Sequence, residues 1–251
     1  MNTIFIDEEI IKQNKCNKNV VIDYIKRANI FGINKLDINI LGDTELTLII
    51  NSDNTKYNIS FNISSKCVIN TITLGDKSKI QFIYNINSDS NISINKYDNC
   101  TNYKEMNIIN INNIGSNVLF NQAGISITRD SYDCIINHNS NNTLCNMNQK
   151  LVCFDPGRIL LQVTNNVDTD IKNTKISNNN TILDLSRYQC EIKPNIYINN
   201  SKTSIEEQQR IINNIHTKKD ITNYILSILN NKKFKKYIKE YLNNLGGDIY
   251  Q

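Results

Sequence analysis

Residues 36–50 read LDINILGDTELTLII, which is two short apolar runs on either side of a turn. In the first run apolar residues alternate with Asp37 and Asn39, a period of two that is typical of a β-strand with one buried face. Gly42 and Asp43 lie between the runs, and these residue types favour tight turns. The stretch therefore predicts two strands joined by a short connection.

The same pattern continues to about Leu161, in runs rich in Ile, Val, Phe and Tyr that begin about ten residues apart. No helical pattern lies between them, which leaves a sandwich, a barrel or a β-helix. The chain has only eight Gly and two Pro, so Asn, Asp and Ser must make most turns. A β-helix reuses one short turn in every coil, so it is one of the three architectures that the pattern leaves open for residues 36–200.

Two flanking regions have a different pattern. Residues 1–35 are predicted to form a cap, with a strand at IFID and a short helix from Val21 to Phe31. Residues 201–251 are predicted to form three helices, the first opening with a capping box at Ser204-Ile-Glu-Glu207. The second and third helices have continuous apolar stripes. We predict that these stripes dock a partner, through Ile221, Tyr224, Ile225, Ile228, Phe234, Tyr237, Ile238 and Tyr241.

The charge distribution separates the tail from the body. The whole net charge of +4 lies in residues 201–251, which hold nine Lys or Arg and five Asp or Glu. A neutral body argues against nucleic-acid binding, which needs a basic stripe. The basic tail fits a solvated face, an acidic membrane surface or a partner protein, and we favour the partner. With no signal peptide or apolar run near ~20 residues, we expect a cytoplasmic or organelle-stroma protein that does not enter a membrane.

Few residues suggest chemistry, and we predict that the protein is not an enzyme. No G-x-S-x-G, H-E-x-x-H or phosphate-loop motif is present, and no carboxylate cluster stands out. His138 ends a strand run and is either a ligand or acid–base group, or a histidine at the surface or in a turn. His216 fits the end of a helix. The seven cysteines include no C-x-x-C and are expected to be free thiols.

Cys190 differs from the other cysteines because it lies in a polar setting, SRYQCEIKP. A thiolate there could bind a soft metal or a cluster. We therefore choose Cys190 and His138 as candidate metal or cluster residues. The cysteines inside apolar runs are interpreted as small core residues, namely Cys67, Cys134 and Cys153.

From His138 onward the chain resembles the C-terminal half of the SufB/SufD family. The resemblance covers about 110 residues. Its segments are HNSNNT (138–143), KLVCFDPGRILLQVTNNVDTDI (150–171), ILDLSRYQCEIKPNIYI (182–198) and SIEEQQRIINNI (204–215), followed by the C-terminal helices. It implies a right-handed parallel β-helix followed by a small helical domain.

The resemblance also implies a function. It implies a non-catalytic scaffold subunit of SUF-type iron–sulfur cluster assembly, which pairs with a like subunit or with itself and docks a SufC-type ATPase through its C-terminal helices. The histidine of the SufD branch has no counterpart here, and the cysteine of the SufB branch falls near Asn179. Any cluster would therefore be held transiently. The alternative is a β-helix protein that binds or cleaves polysaccharide.

Overall fold

The computed structural model describes residues 2–7, 10–14, 18–25, 32–51, 53–199, 202–215 and 217–245. These residues form seventeen strands and two helices. The strands are β1 (Asn2–Asp7), β2 (Ile10–Asn14), β3 (Val20–Ile25), β4 (Asn34–Ile40), β5 (Thr44–Asn51), β6 (Lys56–Ile63), β7 (Cys67–Asp76), β8 (Lys79–Ile86), β9 (Asn91–Thr101), β10 (Lys104–Ile111), β11 (Asn117–Ser126), β12 (Arg129–His138), β13 (Leu144–Phe154), β14 (Arg158–Val167), β15 (Thr174–Leu185), β16 (Glu191–Ile198) and β17 (Thr203–Ile212). The helices are α1 (Lys218–Leu226) and α2 (Lys232–Asn244).

The strands wind into a parallel β-solenoid of about seven turns, which confirms the predicted β-helix. From β4 onward, consecutive strands alternate between two sheets. Sheet A has nine strands in the order β17-β15-β13-β11-β9-β7-β5-β1-β2, and sheet B has eight in the order β16-β14-β12-β10-β8-β6-β4-β3. The coil lengthens along the chain, since a hydrogen bond to the next coil spans 23 residues at Asn58–Gln81 and 31 residues at Thr164–Asn195.

The alternating pattern places apolar side chains between the sheets. Leu36, Ile38 and Ile40 of β4 point inward and are fully buried. The outward face of sheet B has an asparagine ladder, in which each Nδ2 donates to the Oδ1 of the preceding coil at 2.8–3.0 Å. The ladder consists of Asn39, Asn62, Asn85, Asn110, Asn137 and Asn166. Stacked amides of this kind satisfy one another and fix the register of the coils.

The two helices cover the outer face of sheet A. Their apolar side chains pack against outward-facing Ile72, Tyr97, Val152 and Leu183. Both helices begin at a side-chain cap: Thr217 Oγ1 accepts from the backbone N–H of Asp220 at 3.1 Å, and Asn231 caps α2 in the same way. The hairpin is therefore part of the same packed body as the solenoid.

Two helix predictions are wrong. Residues 203–212 form β17 instead of a first C-terminal helix, because the free edge of β15 pairs with them in parallel from Thr174 to Leu183. The capping box predicted at Ser204 is therefore part of a strand. Residues 20–25 form β3, paired with β4, where a short helix was predicted. The rest of that predicted helix (26–31) and His216 lie outside the described residues.

No helix in the described part of the chain is both long enough and apolar enough to span a membrane.

Candidate functional site

The last coil of the solenoid is open. Strands β16 and β17 lie at the ends of their sheets, and among the described strands each pairs with one neighbour only. Ile205 and Ile211 follow the buried Ile176 and Ile182 in register, so they continue the inward columns of the core. They are nevertheless 40% and 48% exposed. The interior of the solenoid therefore reaches the surface at this end.

The apolar residues of this end form what we call the terminal-coil surface. It consists of Tyr188, Ile196, Tyr197, Ile205 and Ile211. These are five of the nine large apolar side chains that are exposed in the described part of the chain. Tyr197 is the most exposed of them, at 61%. An apolar group of this kind on a strand edge is typical of a protein–protein contact.

A cluster of two thiols and a carboxylate lies next to this surface. Cys153 of β13 and Asp184 of β15 are register partners, and Cys190 lies just before β16. The Sγ atoms and a carboxylate oxygen lie within 4.8 Å of one another. Both cysteines are buried, while Asp184 is half-buried. We call this group the corner cluster, because it lies where the chain turns from sheet A to sheet B.

The carboxylate of the corner cluster is held by its neighbours. Asp184 Oδ1 accepts from the N–H and the hydroxyl of Ser186 at 3.1 and 2.7 Å, and Oδ2 accepts from the N–H of Cys190 at 3.1 Å. Burial opposes ionisation of Asp184, but these hydrogen bonds outweigh it and lower the pKa of the carboxyl. The cluster therefore contains a carboxylate in a fixed orientation.

The two thiols interact with each other. A hydrogen bond to Cys190, together with burial, raises the pKa of the Cys153 thiol well above its ordinary value. Cys190 Sγ accepts the backbone N–H of Ile159 at 3.4 Å. Arg187 clamps the loop that presents Cys190, since its guanidinium contacts Asp155 Oδ2 at 2.5 and 2.8 Å. Sequence reasoning chose Cys190 but missed Cys153, which looks like a core residue in the apolar run LVCF.

His138 lies at the opposite corner and does not meet Cys190. It ends β12, whose ten residues separate the two corners by roughly 30 Å. The ring is buried, and its Nδ1 lies 2.7 Å from Thr143 Oγ1. Burial lowers the pKa of His138 to about 4. It is therefore a neutral interior turn residue at pH 7.

Most of the side chains predicted to dock a partner face the chain's own sheet A. Ile221, Ile225, Phe234 and Ile238 are buried, and Ile228 is partly buried in the same packing. The two buried tyrosine hydroxyls are used internally, since Tyr224 donates to Thr181 O and Tyr241 accepts from Asn99 Nδ2, each at 3.0 Å. Tyr237 is 46% exposed. Of the side chains predicted to dock a partner, Tyr237 is therefore the one that the structure leaves exposed.

The polar face of the helices contains a basic groove between α1 and α2. Its volume is about 430 Å³. Asn223, Leu226 and Ser227 of the first helix and its end form one wall. The other wall is formed by Lys232, Lys235, Lys236 and Lys239. The groove offers positive charge to an acidic partner.

The corner cluster does not fit a resident iron–sulfur cluster. Such clusters are generally held by four thiolates, whereas this corner supplies two thiols and one carboxylate. The other described cysteines are buried away from it, at Cys67, Cys100, Cys134 and Cys145. Any cluster chemistry would therefore need ligands from another chain.

No protein-family model matches the chain, and a search of the curated proteins finds no match. Inference about function therefore depends on the fold, the terminal-coil surface and the corner cluster.

Proposed function

We propose that this chain is a non-catalytic scaffold subunit that pairs with a second β-solenoid chain through the terminal-coil surface. The observation that carries the proposal is the exposure of core-facing residues in the last coil, above all Ile205 and Ile211. The partner would be a like subunit of the SufB/SufD type or a second copy of this chain.

Strand addition at the open edges favours a solenoid as the partner. The edges of β16 and β17 present backbone donors and acceptors at strand spacing, and a further strand satisfies them by addition to the sheet. The same partner coil would cover Ile196, Ile205 and Ile211. Two copies of one edge can also meet about a two-fold axis, which makes a self-complementary interface.

The SUF assignment rests on the resemblance of about 110 residues, from His138 through the C-terminal helices, to the SufB/SufD family. On this proposal an iron–sulfur cluster is cargo that forms between two chains, and no cluster is kept as a resident cofactor. A SufC-type ATPase would bind the lysines of the helical groove together with the exposed Tyr237. The compartment that this requires is the cytoplasm or an organelle stroma, which suits free thiols.

Light scattering after size-exclusion chromatography tests the pairing. The chain is run alone and after co-expression with a SufB/SufD-type subunit, and a paired mass is expected in at least one case. Substitution of Tyr197→Lys with Ile205→Lys should abolish the pair, because it places one charge among the core-facing residues of the contact and another at its rim, on the outward face of sheet B. Ile114→Lys is the matched control, since Ile114 is also exposed but lies away from the last coil.

A monomer under both conditions would overturn the proposal, as would undiminished pairing of the doubly substituted chain. Co-purification with a SufC-type ATPase then tests the helical groove. Lys232→Glu with Lys236→Glu should abolish ATPase capture, while Lys66→Glu with Lys172→Glu, at exposed positions elsewhere, should not. Capture that survives the first pair of substitutions would show that the ATPase binds another surface.

A further inference from the structure

We propose that the corner cluster of Cys153, Asp184 and Cys190 is a binding site for a single thiophilic divalent cation of the Zn²⁺ class. The proposal concerns this chain's own metal and does not rest on the pairing or on the SUF assignment.

The donor atoms have the spacing that such a cation needs. They lie within 4.8 Å of one another. In a tetrahedral zinc site, with metal–sulfur bonds of about 2.3 Å, donors lie roughly 3.3–3.8 Å apart. Metal binding would require the Cys153 and Cys190 side chains to rotate until the donors reach this spacing. Two thiolates with one carboxylate select Zn²⁺ over Mg²⁺ and Ca²⁺, which prefer sites built of oxygen alone.

The surroundings of the cluster already orient its ligands. Ser186 and the N–H of Cys190 fix both oxygens of Asp184, and the N–H of Ile159 points at the Cys190 sulfur. Hydrogen bonds of this kind position metal ligands and tune their basicity. The Arg187–Asp155 ion pair holds the loop between Asp184 and Cys190 in place. The site thus has a supporting shell as well as three ligands.

Cys100 is a buried thiol of the same sheet with which the corner cluster can be compared. Cys100 lies near the end of β9, two strands from Cys153 in sheet A, and it belongs to no group of three potential metal ligands in the described part of the chain. At the corner cluster, by contrast, two thiols and a carboxylate converge. Three protein donors leave a fourth position for water or an external ligand.

Binding must release the thiol protons. Each thiol gives its proton to solvent as the metal–sulfur bond forms, and no electrons are transferred. Because a thiol must lose its proton to bind the metal as a thiolate, metal affinity should rise with pH.

Anaerobic titration of the reduced full-length protein with Co²⁺ tests the site, because Co²⁺ replaces Zn²⁺ and absorbs visibly when bound to thiolates. We expect a single Co²⁺ per chain, with sulfur-to-cobalt charge-transfer bands that Zn²⁺ abolishes by displacement. The bands should disappear in the double variant Cys153→Ser with Cys190→Ser and persist in Cys100→Ser. Ser186→Ala should weaken Co²⁺ binding about tenfold, since it removes the side-chain hydrogen bond that helps to orient the carboxylate of Asp184.

Circular dichroism confirms that each variant is folded before titration. Folded wild-type protein without charge-transfer bands would overturn the proposal, and so would bands that survive loss of both cysteines. The proposal would also be overturned if Cys153 and Cys190 form a disulfide in air and the protein then binds no metal after the disulfide is reduced. The double serine variant should still pair with its solenoid partner, so a failure here is distinct from a failure of the proposed function.

Discussion

A buried ion pair crosses the interior of the solenoid between the two sheets. Lys96 of β9 contacts the carboxylate of Glu105 of β10, and both side chains are fully buried. Lys96 Nζ also donates to Asn107 Oδ1 at 3.0 Å, and Gln122 donates to Glu105 at 2.8 Å. A buried pair of this kind is costly to break, because removal of one partner leaves the other charge without compensation.

Lys96→Met should therefore lower the free energy of unfolding by about 3–5 kcal/mol. The double variant Lys96→Met with Glu105→Gln should lose less, because the charge of Glu105 is removed and burial raises the pKa of the neighbouring Asp98, which favours its neutral form. Urea denaturation measures both, and Lys79→Met at an exposed position is the control, with an expected change below about 0.5 kcal/mol. Equal losses in the single and double variants would show that the ion pair contributes only through packing.

His138 should make the protein acid-sensitive. Its pKa falls from an ordinary 6.5 to about 4 in the fold, so the unfolded chain binds a proton first as the pH falls. His138 does not reduce the free energy of unfolding above pH 6.5, but that free energy decreases as the pH falls towards 4. Between pH 7 and pH 5 the loss is about 2 kcal/mol.

His138→Asn keeps a polar atom near Thr143 but cannot titrate in this range. Its free energy of unfolding should therefore fall by about 2 kcal/mol less than that of the wild type over the same interval, as measured by urea denaturation at both pH values. Parallel pH profiles for the two proteins would contradict the assignment of a depressed pKa to this histidine.

At the scale of elements, the sequence predicted the last two helices but not the strand before them. The stripes from Ile221 to Ile228 and from Phe234 to Leu245 repeat at helical spacing and required no other information. Residues 204–210 contain good helix formers, yet the edge of β15 gave them a parallel neighbour. Tertiary pairing outweighed local propensity, and only the three-dimensional structure shows that edge.

Contacts between coils could not be predicted from the sequence either. The period of two shows that Asn62 and Asn85 point outward, but their stacking depends on the length of each coil. That length changes from 23 to 31 residues along the chain, so no fixed repeat brings the partners together. Cys153 and Asp184 meet for the same reason, across one of the longest coils. The corner cluster was therefore visible in the sequence only as Cys190.

At the scale of the whole molecule, the repeated short strands could be predicted because their pattern is local, and the family resemblance favoured a β-helix over a sandwich or a barrel. The surface that a partner would use could not be predicted. The predicted docking stripes were apolar, and an apolar stripe looks the same whether a partner or the chain's own sheet covers it. In the structure sheet A covers Ile225 and Ile238, and the uncovered apolar group is the terminal-coil surface.

The open coil should be the least stable part of the C-terminal half of the solenoid. In a solenoid each coil contacts only its neighbours, and its stability is approximately a sum of nearest-neighbour terms. Strand β11 has a paired strand on each side, whereas β17 has one only among the described strands. Backbone amides of β17 should therefore exchange with deuterium faster than those of β11 in the unpaired chain.

Pairing should slow amide exchange in the last coil only. A partner coil on the terminal-coil surface gives β16 and β17 a second neighbour, so exchange in both strands should slow, while β11 is unaffected. Hydrogen–deuterium exchange with mass spectrometry measures this in the wild type and in the Tyr197→Lys, Ile205→Lys variant, in which protection of β16 and β17 should not appear. Slow exchange of β17 in the unpaired chain, or partner protection that lies elsewhere, would contradict the idea that the last coil is completed by another molecule.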